Sequence, residues 1–184
     1  IPIARIAAHA VGIDVSAPMV AEAQRNCDAL AVKNAEFQTV DGFEWTAARV
    51  SFDFVHSYIV FQHIPPPLGL HLASRVLNTL AVGGIGALHF TYARRASTLR
   101  RIVHRLRRIR PLDIIIRLVR GHPPLEPSIL MYEYDLGVVL ALLAQHGCRE
   151  PSVRLTDHGG HLGAMIVFGK DPGTASAAKQ ARPS

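Results

Sequence analysis

Short apolar runs alternate with helically spaced apolar side chains over residues 11–90. The runs at 11–15, 36–40, 52–58 and 85–90 predict four strands. Two helical faces lie between them, with apolar residues at Val20, Ala23, Cys27 and Leu30 and then at Leu70, Ala73, Leu77 and Leu80. Strands separated by helices of this length are typical of βαβ units. We therefore expect an α/β fold, Rossmann-like, with a mainly parallel sheet covered by helices on both faces.

The last third of the chain has a different pattern. Residues 134–146 predict a helix, and residues 149–156 and 162–169 predict two strands joined by a turn at 157–160. This indicates an antiparallel hairpin at the C-terminal end of the sheet. We expect one domain over residues 1–170, with an arginine-rich insert or lid at 94–131. The small, polar residues 171–184 predict a disordered tail.

The net positive charge of the chain comes from that insert. The 184 residues carry a net charge of +6, yet residues 94–120 hold ten arginines and a single acid, Asp113, and so sum to +9. The remainder of the chain sums to −3, which is 6 minus 9, so a basic segment is attached to a mildly acidic domain. The two cysteines match no metal-ligand spacing, so we expect no metal site and no disulfide framework. This composition favours a cytoplasmic protein, with membrane association through the insert as an open alternative.

Polar residues follow three of the predicted strands. Asp14, Asp41 and Ser57 each come at or near the carboxyl end of a strand. In parallel sheets ligands bind at that edge. A carboxylate there can accept hydrogen bonds from ribose hydroxyls or an amino group, although each of these residues also has a purely structural interpretation as a cap or turn.

Five sequence segments together resemble the class I S-adenosylmethionine-dependent methyltransferases. The segments are Val-Gly-Ile-Asp-Val-Ser-Ala-Pro-Met at 11–19, Ala-Glu-Phe-Gln-Thr-Val-Asp-Gly at 35–42, Phe-Asp-Phe-Val-His-Ser at 52–57, Val-Phe-Gln-His-Ile-Pro at 60–65 and Arg-Val-Leu-Asn-Thr-Leu-Ala-Val-Gly-Gly at 75–84. The resemblance covers residues 1–93 well and residues 132–169 more loosely. It implies S-adenosylmethionine as cofactor and methyl transfer to a small-molecule or lipid-linked acceptor.

The resemblance also implies roles for individual residues. Asp14 would hold the ribose hydroxyls, Asp41 and Gly42 would meet the adenine, and Ser57 would line the methionine side. Val15 is a further cofactor-binding residue. If the acceptor is a hydroxyl, His63 is the first candidate for a general base, with Tyr58 and His89 as second choices.

The sequence departs from the family pattern at two places. Val82 stands where the family usually has a proline before the paired glycines. The glycine-rich loop after the family's first strand is missing, and residues 1–10 have the pattern of the back half of the helix that follows that loop. We therefore expect that the chain is a truncated form and that residues 1–184 alone do not methylate an acceptor.

The sequence of the insert does not decide which partner it binds. As a helix it would place Leu99, Ile102, Val103, Leu106 and Ile109 on one face, with Arg100, Arg101, Arg105 and Arg108 around it. Such a helix can be a solvated lid, can bind an anionic membrane or a lipid-linked substrate, or can bind an acidic partner. No aromatic side chain lies among the arginines, which argues against nucleic acid.

Two other functions fit parts of the pattern. A strand-end acid also suits the ribose of NAD, which would make the protein a dinucleotide oxidoreductase. The missing glycine loop favours a non-catalytic Rossmann-like adaptor that binds membranes or acidic partners through residues 94–120.

Overall fold

The computed structural model describes residues 1–40, 51–95 and 130–171. The chain forms two compact units, Ile1–Ala48 (unit 1) and Arg49–Ser184 (unit 2), and each is described by itself. The predicted insert, the predicted tail beyond residue 171, and the pair Asp41–Gly42 lie outside the described residues. The prediction of one domain over residues 1–170 therefore stays a prediction.

Unit 1 is a β-α-β unit. Strand β1 (Ala10–Asp14) leads to helix α1 (Ala17–Ala29) and then to strand β2 (Ala35–Thr39), which pairs with β1 in parallel. Gly12 lies opposite Phe37, and a Cβ at Gly12 would come within 2.7 Å of the Phe37 ring. The glycine therefore allows the ring to lie across β1.

The start of unit 1 differs from the predicted half-helix over residues 1–10. Only one 3-10 turn forms, at Ile3–Arg5. The side-chain amide of Asn34 donates to the carbonyl oxygens of Ala4 and Ala7 at 2.7 and 2.8 Å. An α-helix would use these carbonyls for its own amides, so the contact with Asn34 ends the turn before it lengthens.

Unit 2 contains a four-stranded mixed sheet. Its elements are strand β3 (Phe52–Ser57), a 3-10 turn (Phe61–His63), helix α2 (Pro66–Thr79), strand β4 (Leu80–Arg94), helix α3 (Leu136–Gln145), strand β5 (Cys148–His158) and strand β6 (His161–Lys170). The strand order is β3-β4-β6-β5. The pair β3–β4 is parallel, whereas β4–β6 and β6–β5 are antiparallel. The predicted α/β class and the C-terminal hairpin are confirmed.

Two boundaries in unit 2 are not where the sequence pattern placed them. Helix α2 begins at Pro66, four residues before the first predicted apolar position of that helix at Leu70, because proline lacks an amide that the first helical turn does not need. Strand β4 begins at Leu80 rather than after the glycine pair. Gly83, with φ of +80°, lies in an irregular stretch of that strand where the register to β3 shifts.

The core of unit 2 joins the helices to one face of the sheet. Leu77 of α2 and Val139 of α3 are buried together with apolar side chains of β4 and β6, namely Leu88, Phe90, Ala164, Ile166 and Phe168. These strand residues alternate along each strand, as expected for one face of a sheet. Within the described ranges, no helix is long and apolar enough to cross a membrane.

Candidate functional site

Asp14 ends β1 with an exposed carboxylate. Its Oδ1 accepts a hydrogen bond from the backbone amide of Ser16 at 2.8 Å, one residue before α1 begins. In the part of the chain that the structure describes, no protein group donates to Oδ2. The neighbouring Val15 is 61% exposed and adds an apolar surface beside the carboxylate. Both predicted ribose-site residues are therefore open at the carboxyl end of β1.

Ser57 ends β3 at the matching edge of the sheet in unit 2. It is half-buried and lies opposite Leu88 of β4. The chain beyond it makes an unusual turn, because Ile59 has a φ of +61°. A β-branched residue in the left-handed region is a genuine outlier, and such strain clusters at functional sites. Nothing in the sequence around Ile59 indicated this conformation.

His63 lies in the 3-10 turn that follows β3, and Gln62 holds it. The buried Gln62 accepts a hydrogen bond from the Thr91 hydroxyl at 2.9 Å through Oε1. Its Nε2 lies 3.1 Å from Nε2 of His63. Because an amide nitrogen only donates, Nε2 of His63 accepts and Nδ1 carries the proton. In this arrangement the Nδ1–H of His63 can donate a hydrogen bond to a ligand. His63 can act as a general base through Nε2 only when the hydrogen bond from Gln62 is broken.

The two second-choice residues, Tyr58 and His89, belong to a group that also contains Thr156 and His158. We call these four residues the ring cluster. The Tyr58 hydroxyl lies 3.0 Å from Nε2 of His158, and Nε2 of His89 lies 2.9 Å from the Thr156 hydroxyl. The rings of His89 and His158 both contact Tyr58, with centroids 5.0 and 5.7 Å away. No pattern in the sequence indicated that residues 58 and 89 contact residues 156 and 158.

A shallow cleft lies between the end of β4 and the first residues of α3. It has a volume of about 450 Å³ and is lined by Tyr92 and residues 133–137. Burial raises the pKa of Tyr134, whose hydroxyl stays protonated and donates to the Ile64 carbonyl at 2.8 Å. No group of three metal-ligating side chains occurs among residues 1–40, 51–95 and 130–171.

The remaining predicted site residues cannot be placed. Asp41 and Gly42, and the arginines Arg100, Arg101, Arg105 and Arg108, lie outside the described residues. Asp14 and Ser57 belong to different units, and each is at the carboxyl end of a parallel strand in its own unit.

A family model described as "Methyltransferase domain" matches residues 1–84. The match covers β1, α1, β2, β3, the 3-10 turn Phe61–His63 and α2, which together carry Asp14, Ser57 and His63. Over residues 1–84 the chain therefore resembles a methyltransferase domain, in agreement with the family that the sequence predicts.

Solved methyltransferases share the fold at low sequence identity. The magnesium protoporphyrin IX methyltransferase from Synechocystis PCC 6803 with bound SAH has a TM-score of 0.62 and 20% identity, over 91% of this chain and 67% of that chain. Its structure with bound SAM gives 0.60 and 19%, over 91% and 62%. A SAM-dependent methyltransferase from Methanosarcina mazei gives 0.66 and 14%, over 92% and 85%. The chain thus spans about two thirds of the Synechocystis protein. No curated protein matches it in sequence.

These comparisons confirm the predicted fold and agree with the predicted methyltransferase family, and the Synechocystis relative is known with bound SAH and SAM. They give no support to the NAD-dependent oxidoreductase that the sequence left open. The residue assignments, the acceptor, the cytoplasmic location and the membrane contact stay predictions.

Proposed function

We propose that the protein is a methyltransferase that transfers a methyl group from S-adenosylmethionine to a small-molecule acceptor; that residues 1–184 alone are inactive stays a prediction from the sequence. S-adenosylmethionine held by these residues would supply an electrophilic methyl group for displacement by the acceptor atom. The chain's contribution to such a displacement is to position both reactants and to exclude water.

The observation that carries this proposal is the carboxylate of Asp14. One oxygen is fixed by the Ser16 amide, so the side chain is already oriented, and the other is open to a ligand. A carboxylate accepts two hydroxyl donors well, as the two adjacent hydroxyls of a ribose require. The exposed Val15 beside it suits the apolar face of a nucleoside. The residues present thus fit the cofactor.

In unit 2, Ser57 and His63 keep the roles that the sequence predicts, with Ser57 lining the methionine side and His63 facing the acceptor. Ser57 stands at the end of β3, and the strained turn at Ile59 brings the chain round to His63. Gln62 and Thr91 hold the imidazole in one orientation, which lets Nδ1–H donate to an acceptor or cofactor oxygen.

The Synechocystis relative, by its name, acts on a porphyrin, which is a small-molecule acceptor. This supports a small-molecule acceptor here without naming it. The alternative of a lipid-linked acceptor rests on Arg100, Arg101, Arg105 and Arg108 and remains a prediction from the sequence.

Calorimetric titration of the 184-residue chain with S-adenosylmethionine tests the proposal. We expect saturable binding, and Asp14→Ala should weaken it about 10- to 150-fold, the range for losing hydrogen bonds to a charged group. Asp28→Asn is the matched control, because it removes an exposed acid from the same unit, on α1. Equal affinity in the Asp14 and Asp28 variants would overturn the ribose assignment.

A further inference from the structure

The ring cluster (Tyr58, His89, Thr156 and His158) lies at the edge of the sheet where parallel strands place their ligands. Strand β3 ends at Ser57, which pairs with Leu88, but β4 continues to Arg94. Arg94 pairs with His161, and His161 pairs with His158 at the tip of the β5–β6 hairpin. The end of β4 and the hairpin therefore project beyond β3, and Tyr58 is the first residue beside this projection.

The cluster can form because β6 has a glycine, which carries no side chain, at position 163. Gly163 of β6 pairs with Thr91 on one side and Thr156 on the other. A Cβ at Gly163 would come within 2.2 Å of His89 Nε2 and 2.6 Å of the Thr156 hydroxyl. The glycine thus lets a side chain of β4 reach across β6 to a side chain of β5.

The proton positions in the cluster differ between its two histidines. His89 is 1% exposed, and its burial, with a smaller effect from His158, lowers its pKa, so it stays neutral at pH 7. His158 is exposed, and its Nε2 faces the Tyr58 hydroxyl at 3.0 Å. A phenol donates to a neutral imidazole nitrogen, which leaves lone pairs on the phenol oxygen for a second donor. Tyr58 is 43% exposed, so a ligand can reach that oxygen.

We propose that the ring cluster binds a phenolic hydroxyl of the methyl acceptor and receives its proton. The proposal rests on the methyl transfer proposed above and names the class of acceptor. The acceptor proton moves to the Tyr58 oxygen while the Tyr58 proton moves to Nε2 of His158, which becomes an imidazolium. Tyr58 ends the step neutral, and the acceptor oxygen is left with the electron pair that bonds to the methyl carbon.

Phenols are the acceptors that this pair matches best. A phenolic acceptor carries the same acidic group as the tyrosine side chain, so a proton passes between the two oxygens at little cost. An aliphatic alcohol is a far weaker acid and needs a stronger base. The exposed Tyr58 ring also offers a surface on which an aromatic acceptor can stack.

Spectrophotometric titration of the full chain with 4-nitrophenol tests the proposal without turnover, because the absorbance of this probe reports its ionisation. We expect saturable binding that Tyr58→Phe and His158→Ala each weaken about 3- to 10-fold, as for the loss of one hydrogen bond. Leu155→Ala is the matched control: Leu155 is 64% exposed on β5 and pairs with Ala164, on the other face of the sheet. Tyr58 and His158 are exposed as well, so circular dichroism should show all three variants folded.

Two further measurements separate the possible failures. Long-range nitrogen-15 spectra of the His158 ring should show Nε2 as an acceptor in the wild type and a changed signal in Tyr58→Phe. Equal 4-nitrophenol affinity in the wild type, Tyr58→Phe and His158→Ala would overturn the phenol site. If S-adenosylmethionine still binds in that case, the proposed function stands alone. If S-adenosylmethionine does not bind the wild type, the proposed function fails whatever the phenol titration shows.

Discussion

At the scale of single residues, Gly163 is the position on which the ring cluster depends. Its hydrogen occupies the space between His89 and Thr156, which belong to strands on either side of β6. Both neighbours are fixed by a hydrogen bond to each other, and His89 is fully buried, so neither can move away easily.

Gly163→Ala should therefore destabilise the protein by about 1–3 kcal/mol, the usual cost of overpacking a well-filled interior. Gly169→Ala is the control within the same strand, because a Cβ there meets no atom within 4 Å. Urea unfolding of the two variants checks this. A Gly163 variant as stable as the Gly169 variant would show that the cluster is more loosely packed than the structure indicates.

The neutral histidines predict a loss of stability in acid. Burial, as the main cause, lowers the pKa values of His89, His146 and His161. In the unfolded chain these groups bind protons near pH 6.5, whereas in the folded chain they bind them only at lower pH. The unfolded state therefore holds more protons, and stability falls as pH drops below about 6.5 towards the lowered pKa values.

Urea unfolding at several pH values between 7.5 and 5 should show this decrease. His89→Gln removes one of the three groups, so its stability should depend less steeply on pH. The explanation fails for His89 if that variant and the wild type lose stability in parallel.

Some of these residues could be predicted from the sequence and some could not. Asp14 and Ser57 were identified because a polar residue after an apolar strand is visible locally. Thr156 and His158 were missed because they reach Tyr58 and His89 only through the register of β4, β6 and β5, across about 70 to 100 residues of chain. No local pattern contains that register.

At the scale of elements, α3 shows how a helix start is set by one side chain. Asp135 precedes Leu136, and its Oδ1 accepts hydrogen bonds from the amides of Gly137 and Val138 at 2.7 and 3.4 Å. These amides have no partner within the helix, so the carboxylate satisfies them.

Asp135→Ala should cost about 0.5–2 kcal/mol of unfolding free energy, and Asp135→Ser should restore most of it because serine also caps. Thermal unfolding followed by circular dichroism measures both. If the serine variant is no more stable than the alanine variant, the cap does not stabilise α3.

Among the described residues, the apolar spacing predicted each α-helix and strand but not every boundary. The spacing in α2 was clear in the sequence because its buried positions repeat at helical intervals. The start of α2 at Pro66 was not predicted, although proline suits the first turn of a helix. The turn at Ile3–Arg5 was overestimated because the contact with Asn34, about 30 residues away, decides its length.

At the scale of the whole molecule, the central proposal is that S-adenosylmethionine binds at the carboxyl end of β1, where Asp14 is exposed. The family match over residues 1–84 includes this strand.

Hydrogen exchange of the full chain with and without S-adenosylmethionine tests this most directly, with NAD as the control ligand. We predict slower exchange with S-adenosylmethionine at residues 13–18, and no such change with NAD. Unchanged exchange at residues 13–18 at saturating S-adenosylmethionine, or protection confined to residues 148–170, would contradict the proposal.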